Sequence, residues 1–189
     1  TERGSWASLP NYMVSLLKAW YGDYAMKENE YGFQWLPKLG GNESLTVTIE
    51  RAKKGEVDGL LVFGQNIAVT NPNTAIRNLK WLVVCDLFEN ETASVWYADP
   101  NGPKPSEVQT EVFYLPTNSC LEKDGSVSNT ERLMQWHDRI KEAPGECRSD
   151  AWWTYQLGKR LKAMAEASGL PRDEGLRSLT WSYDMPQGK

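Results

Sequence analysis

The sequence predicts an α/β fold: a three-layer arrangement in which a mostly parallel sheet carries helices on both faces. Three observations carry this. Leu60-Leu61-Val62-Phe63 and Trp81-Leu82-Val83-Val84-Cys85 are short, continuously apolar runs, as expected of strands covered on both sides. Between them Pro72–Leu79 suits a brief helix, so strand, helix and strand follow in close succession as a βαβ unit. A third run, Glu111–Leu115, mixes β-branched and aromatic residues and is stopped by Pro116.

The remaining elements follow in order. Tyr12, Met13, Leu16, Leu17, Trp20 and Tyr21 lie at helical spacing between start signals at Ser8 and Pro10 and a stop at Gly22, which predicts a first helix. Asp23–Asn42 mixes charges, glycine and aromatics without a period and is expected to be irregular and partly packed. In Ser44–Lys54, Leu45, Val47 and Ile49 alternate like a strand while Leu45, Ile49 and Ala52 sit at helix spacing; Gly55 and the strand that follows favour a helix. Ala98–Pro105 contains three prolines and a glycine and reads as a surface insertion. A last helix starts at Ser149 or Asp150, aligns Trp153, Leu157, Leu161, Met164 and Ala165 on one face, and meets stop signals at Gly169 and Pro171. Arg172–Lys189 is polar and is expected to drape over a neighbour. The organisation expected is an N-terminal helix and irregular segment over residues 1–43, an α/β domain over 44–169 of the Rossmann or flavodoxin-like kind, and a tail over 170–189.

Composition narrows the function. With 21 basic against 25 acidic residues the net charge is −4, which leaves no excess of cations to neutralise a nucleic-acid backbone. An apolar content of 40% excludes disorder of the whole chain. The uncharged apolar run Gly59–Val69 is far shorter than the roughly 18 residues of a membrane helix. Cys85, Cys120 and Cys147 form no CxxC pair and read as packed thiols. The chain opens at Thr1 without an initiator Met, a cationic start or an apolar leader core, so it reads as a piece of something longer. Nine Trp and eight Tyr are scattered along the chain and suit a core, or an interface with a larger body, better than a carbohydrate platform. The single His137, in Gln135-Trp136-His137-Asp138-Arg139, reads as a surface or interface residue, and no HExxH, GxSxG or zinc-spaced set occurs. No catalytic residue and no metal ligand is therefore assigned within this chain.

In a parallel sheet, ligands gather outside the carboxyl ends of the strands. After the first strand stands Gly64-Gln65-Asn66, where glycine lets a ligand approach the backbone and the Asn amide can donate and accept. Asp86 ends the next strand, 20 residues after Asn66, near the spacing at which nucleotide-binding βαβ units place a carboxylate for a nucleoside. It can accept from ribose hydroxyls or from the adjacent N–H groups of a guanine edge, or serve merely as a turn or cap residue. Lys123, in Glu122-Lys123-Asp124-Gly125, can neutralise a pyrophosphate or be a solvated turn charge. Asp150 can reach a base or pterin amine, cap the last helix, or do both. Neither GxGxxG nor a P-loop is present.

The order of segments is more specific than any one of them. It runs Leu61-Val62-Phe63-Gly64-Gln65-Asn66 with Asn71-Pro72, Leu82-Val83-Val84-Cys85-Asp86-Leu87-Phe88 with Glu91-Thr92-Ala93, Tyr114-Leu115-Pro116, Glu122–Arg132 and Pro144–Asp150. This order resembles the molybdopterin oxidoreductase family from about Asp58 to Leu161, and within it the large (alpha) subunits of formate dehydrogenases, an affinity that the insertion before Thr110-Glu111-Val112-Phe113 supports. The resemblance implies an internal domain of a much larger subunit that grips one of two molybdopterin guanine dinucleotides at a molybdenum or tungsten centre where formate is oxidised to carbon dioxide. It implies that Gly64 and Asn66 lie against the cofactor's phosphate or pterin side, that Cys85 and Asp86 meet the guanosine end, that Lys123 matches the lysine of the Glu-Lys turn and Asp150 the aspartate that closes the site, with Thr92 a further contact. Many relatives carry Gln or Ser where Cys85 stands, and Leu133 replaces a second Arg after Glu131-Arg132. On the same resemblance the metal-ligating and iron–sulfur cysteines lie outside this chain, the isolated chain carries no cofactor, the partners are the remaining domains of the subunit and an iron–sulfur electron-transfer subunit, and the location is periplasmic, or else cytoplasmic. Another member of the family, such as a nitrate or polysulfide reductase, and a flavodoxin-like interaction module without redox duty are the alternatives.

Overall fold

The computed structural model describes residues 9–38, 40–70, 73–129 and 133–180. In chain order the elements are helix α1 (Leu9–Tyr21), 3-10 turns at Gly22–Tyr24 and Lys27–Trp35, α2 (Leu45–Lys53), β1 (Gly59–Phe63), short helices α3 (Ile67–Thr70) and α4 (Asn73–Ile76), and β2 (Trp81–Asp86). Then follow β3 (Glu111–Pro116), β4 (Gly125–Ser128), β5 (Met134–His137), α5 (Asp150–Ser168) and α6 (Glu174–Arg177). The chain divides into two units, one running from Gly41 to Trp153 and the other built from the segments before and after it.

The Gly41–Trp153 unit is organised by a parallel sheet in the order β1-β2-β3. Its register sets Leu60 beside Leu82 and Leu82 beside Val112, so one face presents Leu60, Val62, Leu82, Val84 and Val112. That face packs with Ile49 and Ala52 of α2, Ile67 and Ala68 of α3, Ala75 and Ile76 of α4, Leu79, and Ala93 and Val95 from the turns after β2. The fold class is thus an α/β one, as expected. Two buried faces, however, are found only in part. In β2, Leu82, Val84 and Cys85 are all buried, whereas in β1 Leu61 and Phe63 are 47% and 36% exposed. A continuous apolar run cannot separate these cases, because it carries no alternation to read.

Three further differences from the sequence reading concern local structure. β4 and β5 pair antiparallel as a hairpin that the sequence did not predict, with Gly125 opposite His137 and Ser128 opposite Met134. Its apolar residues Val127, Met134 and Trp136 are exposed, so no buried stripe marked it. The proline-rich insertion is tied to the core: Asp99 pairs with Arg77 at 2.8 Å, and the Arg77 Nε also donates to the Val95 carbonyl at 3.0 Å. On α5 only Ala165 of the predicted stripe is buried, while Leu157, Leu161 and Met164 are exposed. Asn71-Pro72, Thr130-Glu131-Arg132 and the chain beyond Thr180 lie outside the described residues.

The other unit is centred on Leu17, Tyr21 and Ala25, with Met13, Tyr31, Trp35, Leu36 and Leu179 packed around them. Tyr21 and Trp35 meet edge to face at 4.9 Å. Glu30, Tyr31 and Gly32 all have positive φ, and a Cβ at Gly32 would come within 2.6 Å of the Tyr21 ring, which requires glycine there. Asn29 holds this turn: its Oδ1 accepts from the Met26 and Gly32 N–H groups, each at 3.1 Å.

Candidate functional site

Because the strands are parallel and in register, they finish together. Phe63, Cys85 and Leu115 occupy one rung, and Asp86 faces Pro116 on the next. Gly64 leaves β1 with φ +59 and donates its N–H to the Cys85 carbonyl at 2.9 Å, while Thr117 N–H reaches the Asp86 carbonyl at 3.0 Å. All three loops therefore start from the same edge of the sheet, where backbone groups and loop side chains converge.

The loops after β1 and β2 are joined by side-chain hydrogen bonds that run from the buried Thr92 to the exposed Glu91. Thr92, fully buried, donates its hydroxyl to Asn66 Oδ1 at 3.0 Å and accepts the Ala68 N–H, an otherwise unpaired donor of the first turn of α3, at 3.1 Å. The Asn66 Nδ2 donates to Glu91 Oε2. This bond, followed by the carboxylate's bond to its own backbone N–H, lowers the Glu91 pKa. Asn90 is the next link. Its Oδ1 accepts from the Thr92 and Ala93 N–H groups at 3.0 and 3.2 Å, and its Nδ2 donates to Asp86 Oδ2 at 2.7 Å. The other oxygen, Asp86 Oδ1, accepts from the Leu87 N–H at 2.7 Å. Asn66, Thr92, Glu91, Asn90 and Asp86 thus form one connected polar chain along the rim.

The loop after β3 brings the rest. Thr117 bridges Arg148 in parallel fashion, and Asn118 N–H donates to the Arg148 carbonyl at 3.2 Å. Asn118 Nδ2 donates to the Glu122 carbonyl at 3.1 Å, which leaves Asn118 Oδ1 as a buried acceptor without a partner; the residue is 3% exposed. Lys123 follows directly and its ammonium lies 3.5 Å from Asp150 Oδ2. Ser149, one position earlier than Asp150, supplies the helix cap, its Oγ accepting from the Trp152 N–H at 3.1 Å. Trp153 Nε1 donates to the Pro116 carbonyl at 3.2 Å and ties the start of α5 to the end of β3.

Electrostatics link these groups. Burial pushes the Cys85 thiol up to about 11, and the carboxylates of Asp150 and then Asp86 add to it. Tyr114, which donates its hydroxyl to the Asp86 carbonyl at 3.2 Å, is raised by burial first and then by Asp86, Cys147 and Glu89. The Glu122 carboxylate is held low, first by the Ser119 N–H and then by Lys141, 2.9 Å away.

Each residue singled out in the sequence therefore has a place at this edge. Asn66, Thr92 and Asp86 share one hydrogen-bonded chain, Gly64 abuts Cys85, and Lys123 pairs with Asp150, whose charge reaches Cys85. The reading missed Asn90, Glu91, Tyr114 and Asn118. Of these, Asn90 had a local signal: an Asn whose carbonyl accepts from the N–H groups two and three residues on is an Asx-type turn, written here as Asn90-Glu91-Thr92. The arrangement presents carboxylate acceptors, one ammonium and amides on a rim open to solvent at Gly64, Glu91 and Asp150. That set suits a ligand carrying N–H donors at one end and an anionic group at the other.

Comparison with known proteins gives the same region a context. The model of the molybdopterin oxidoreductase family matches residues 24–160. The chain is 34% identical over 188 residues to the nitrate-inducible formate dehydrogenase major subunit of Escherichia coli K12, covering 96% of this chain and 18% of that protein. It is 32% identical over 170 residues to the formate dehydrogenase subunit alpha of Megalodesulfovibrio gigas, 87% of this chain and 16% of that one. It is also 32% identical over 120 residues to the assimilatory nitrate reductase catalytic subunit of Bacillus subtilis 168, 61% of this chain and 14% of the relative. The chain thus spans less than a fifth of the length of each of these relatives.

Proposed function

The chain belongs to the molybdopterin oxidoreductase family, and from that premise we propose that it forms part of the grip on a molybdopterin guanine dinucleotide in the large subunit of a formate dehydrogenase. The observation that carries the reading is the position of Asp86. It ends the central strand, each of its carboxylate oxygens accepts one neutral N–H donor, and among the described residues it makes no ion pair. A carboxylate oxygen has two lone-pair sites, so one remains on each for the N1–H and N2–H of a guanine edge.

The rest of the rim fits the same group. Lys123 supplies a cation for a pyrophosphate, with Asp150 sharing its charge until a ligand competes. Gly64, with φ +59 and open space where a Cβ would stand, permits a phosphate or pterin edge to approach the backbone. Asn66 and Thr92 hold the two loops together and so fix the width of the rim. When bound, the cofactor supplies a metal centre at which formate loses two electrons and a proton to become carbon dioxide. This chain's own residues bind and orient its nucleotide end. Its partners on this reading are the other domains of the subunit and an electron-transfer subunit.

The test is Asp86→Asn in the full-length subunit, with guanine nucleotide released by acid and metal content measured per protein. Loss of one hydrogen bond to a charged group lowers retention by at least about tenfold. Unchanged nucleotide and metal content refutes the assignment. Dye-linked turnover with formate against nitrate separates the formate dehydrogenase reading from that of a nitrate reductase, which the relative from Bacillus subtilis keeps in view.

A further inference from the structure

We propose that Asn90 is a positioning residue that aims Asp86, so that discrimination of a guanine edge depends on an amide that itself faces the protein. This rests on the reading of Asp86 as the group that meets the base. The terminal torsion of an aspartate is broad, and one bonded oxygen alone does not hold the plane of its carboxylate. Leu87 N–H anchors Oδ1 at 2.7 Å, and Asn90 Nδ2 anchors Oδ2 at 2.7 Å. Only with both in place do the two remaining lone pairs point outward side by side.

Asn90 is itself fixed from behind. Its carbonyl takes the N–H groups of Thr92 and Ala93, and Thr92 in turn is locked to Asn66 and to the start of α3. The amide cannot turn over without setting its NH2 against two backbone N–H groups, so the NH2 is held toward Asp86. The loop after β1 therefore reaches the base-recognition carboxylate through Thr92 and Asn90 and needs no contact of its own with the base. A guanine edge offers two adjacent donors where hypoxanthine offers one and adenine a donor beside an acceptor, so the pairing of both oxygens is what separates them.

Asn90→Asp distinguishes aiming from turn structure. A carboxylate at this position still accepts from Thr92 and Ala93, which keeps the turn, but it cannot donate to Asp86 and it brings a like charge beside it. In acid, a proton taken up by the introduced carboxyl restores an O–H that donates to Asp86. Around this pair Cys85 and Tyr114, both raised, stay neutral between about pH 5 and 8, and Glu91, lowered, stays charged. Asp150, Glu89 and Lys123 are common to the unsubstituted protein, which serves as the control.

The experiment titrates the complete cofactor-free subunit with GDP and with IDP, which lacks the 2-amino group, at about pH 5 and about pH 8, with melting temperatures recorded in parallel. The expected result is a GDP preference of about tenfold in the unsubstituted protein at both pH values, absent in Asp86→Asn. In Asn90→Asp it is absent at the higher pH and regained at the lower. If the unsubstituted protein does not prefer GDP, or Asp86→Asn keeps the preference, the reading of Asp86 fails and takes this inference with it. If Asp86→Asn loses the preference while Asn90→Asp keeps it at both pH values, or loses it without recovery in acid, Asn90 does not aim Asp86 although the reading of Asp86 stands.

Discussion

Thr92→Val removes one oxygen and leaves the shape of the side chain, which makes it the cleanest probe of the link between the first two loops. The Thr92 hydroxyl serves Ala68 N–H at 3.1 Å and Asn66 Oδ1 at 3.0 Å, and the residue is fully buried. Asn66 is only partly buried and can turn to water, so its loss is small. Ala68 is buried, and its N–H has no partner within the first turn of α3, so the valine leaves a desolvated donor at a cost of about 1–3 kcal/mol. Taking about 2 kcal/mol, the melting temperature falls by roughly 4–8 °C. Thr92→Ser keeps the hydroxyl and loses a buried methyl, about 1 kcal/mol, and is the control. Urea titration of both variants checks the order, and adding Asn66→Ala to each measures the coupling, which survives in the serine background and vanishes in the valine one. A valine variant as stable as the serine variant would refute the hydroxyl's role in joining the loops.

Cys85 is 1% exposed with its pKa near about 11, so at pH 8 roughly one thiol in a thousand is thiolate, and iodoacetamide should label exposed Cys120 while leaving Cys85 untouched until denaturant is added; early labelling of Cys85, read by peptide mass, contradicts the burial described. The lowered Glu122 carboxylate contributes stability that is complete above its unfolded value of about 4.3 and is lost as pH falls through its folded value. The stability gap between the unsubstituted protein and Glu122→Gln should therefore close between neutral pH and acid, and a gap that stays constant refutes the pairing.

The strands were legible because Leu60–Phe63 and Trp81–Cys85 interrupt a charged sequence with uninterrupted apolar runs, and the helix at Leu45–Lys53 because Ile49 and Ala52 share a face. The hairpin was not, because Val127, Met134 and Trp136 are exposed and leave no difference between its faces to read. At the site, the positions of Asn66 and Asp86 were legible from the ends of the strand runs, where a parallel sheet brings its loops together. Asn90 and Asn118 were hidden for another reason. Their roles reside in which atoms of the amide are already taken, as with Asn118 Oδ1, and composition and spacing say nothing of that.

The shared rung of Phe63, Cys85 and Leu115 restricts how such a chain can change in length. Inserting or deleting one residue inside β1, β2 or β3 would shift the loop beyond it by about 3.3 Å and turn its side chains to the opposite face of the sheet. Sequence that enters ahead of a strand's first rung, as the proline-rich stretch anchored by Arg77 does before β3, leaves the rungs in place. Drift in length can thus lengthen the approach to the sheet while the three exits stay level.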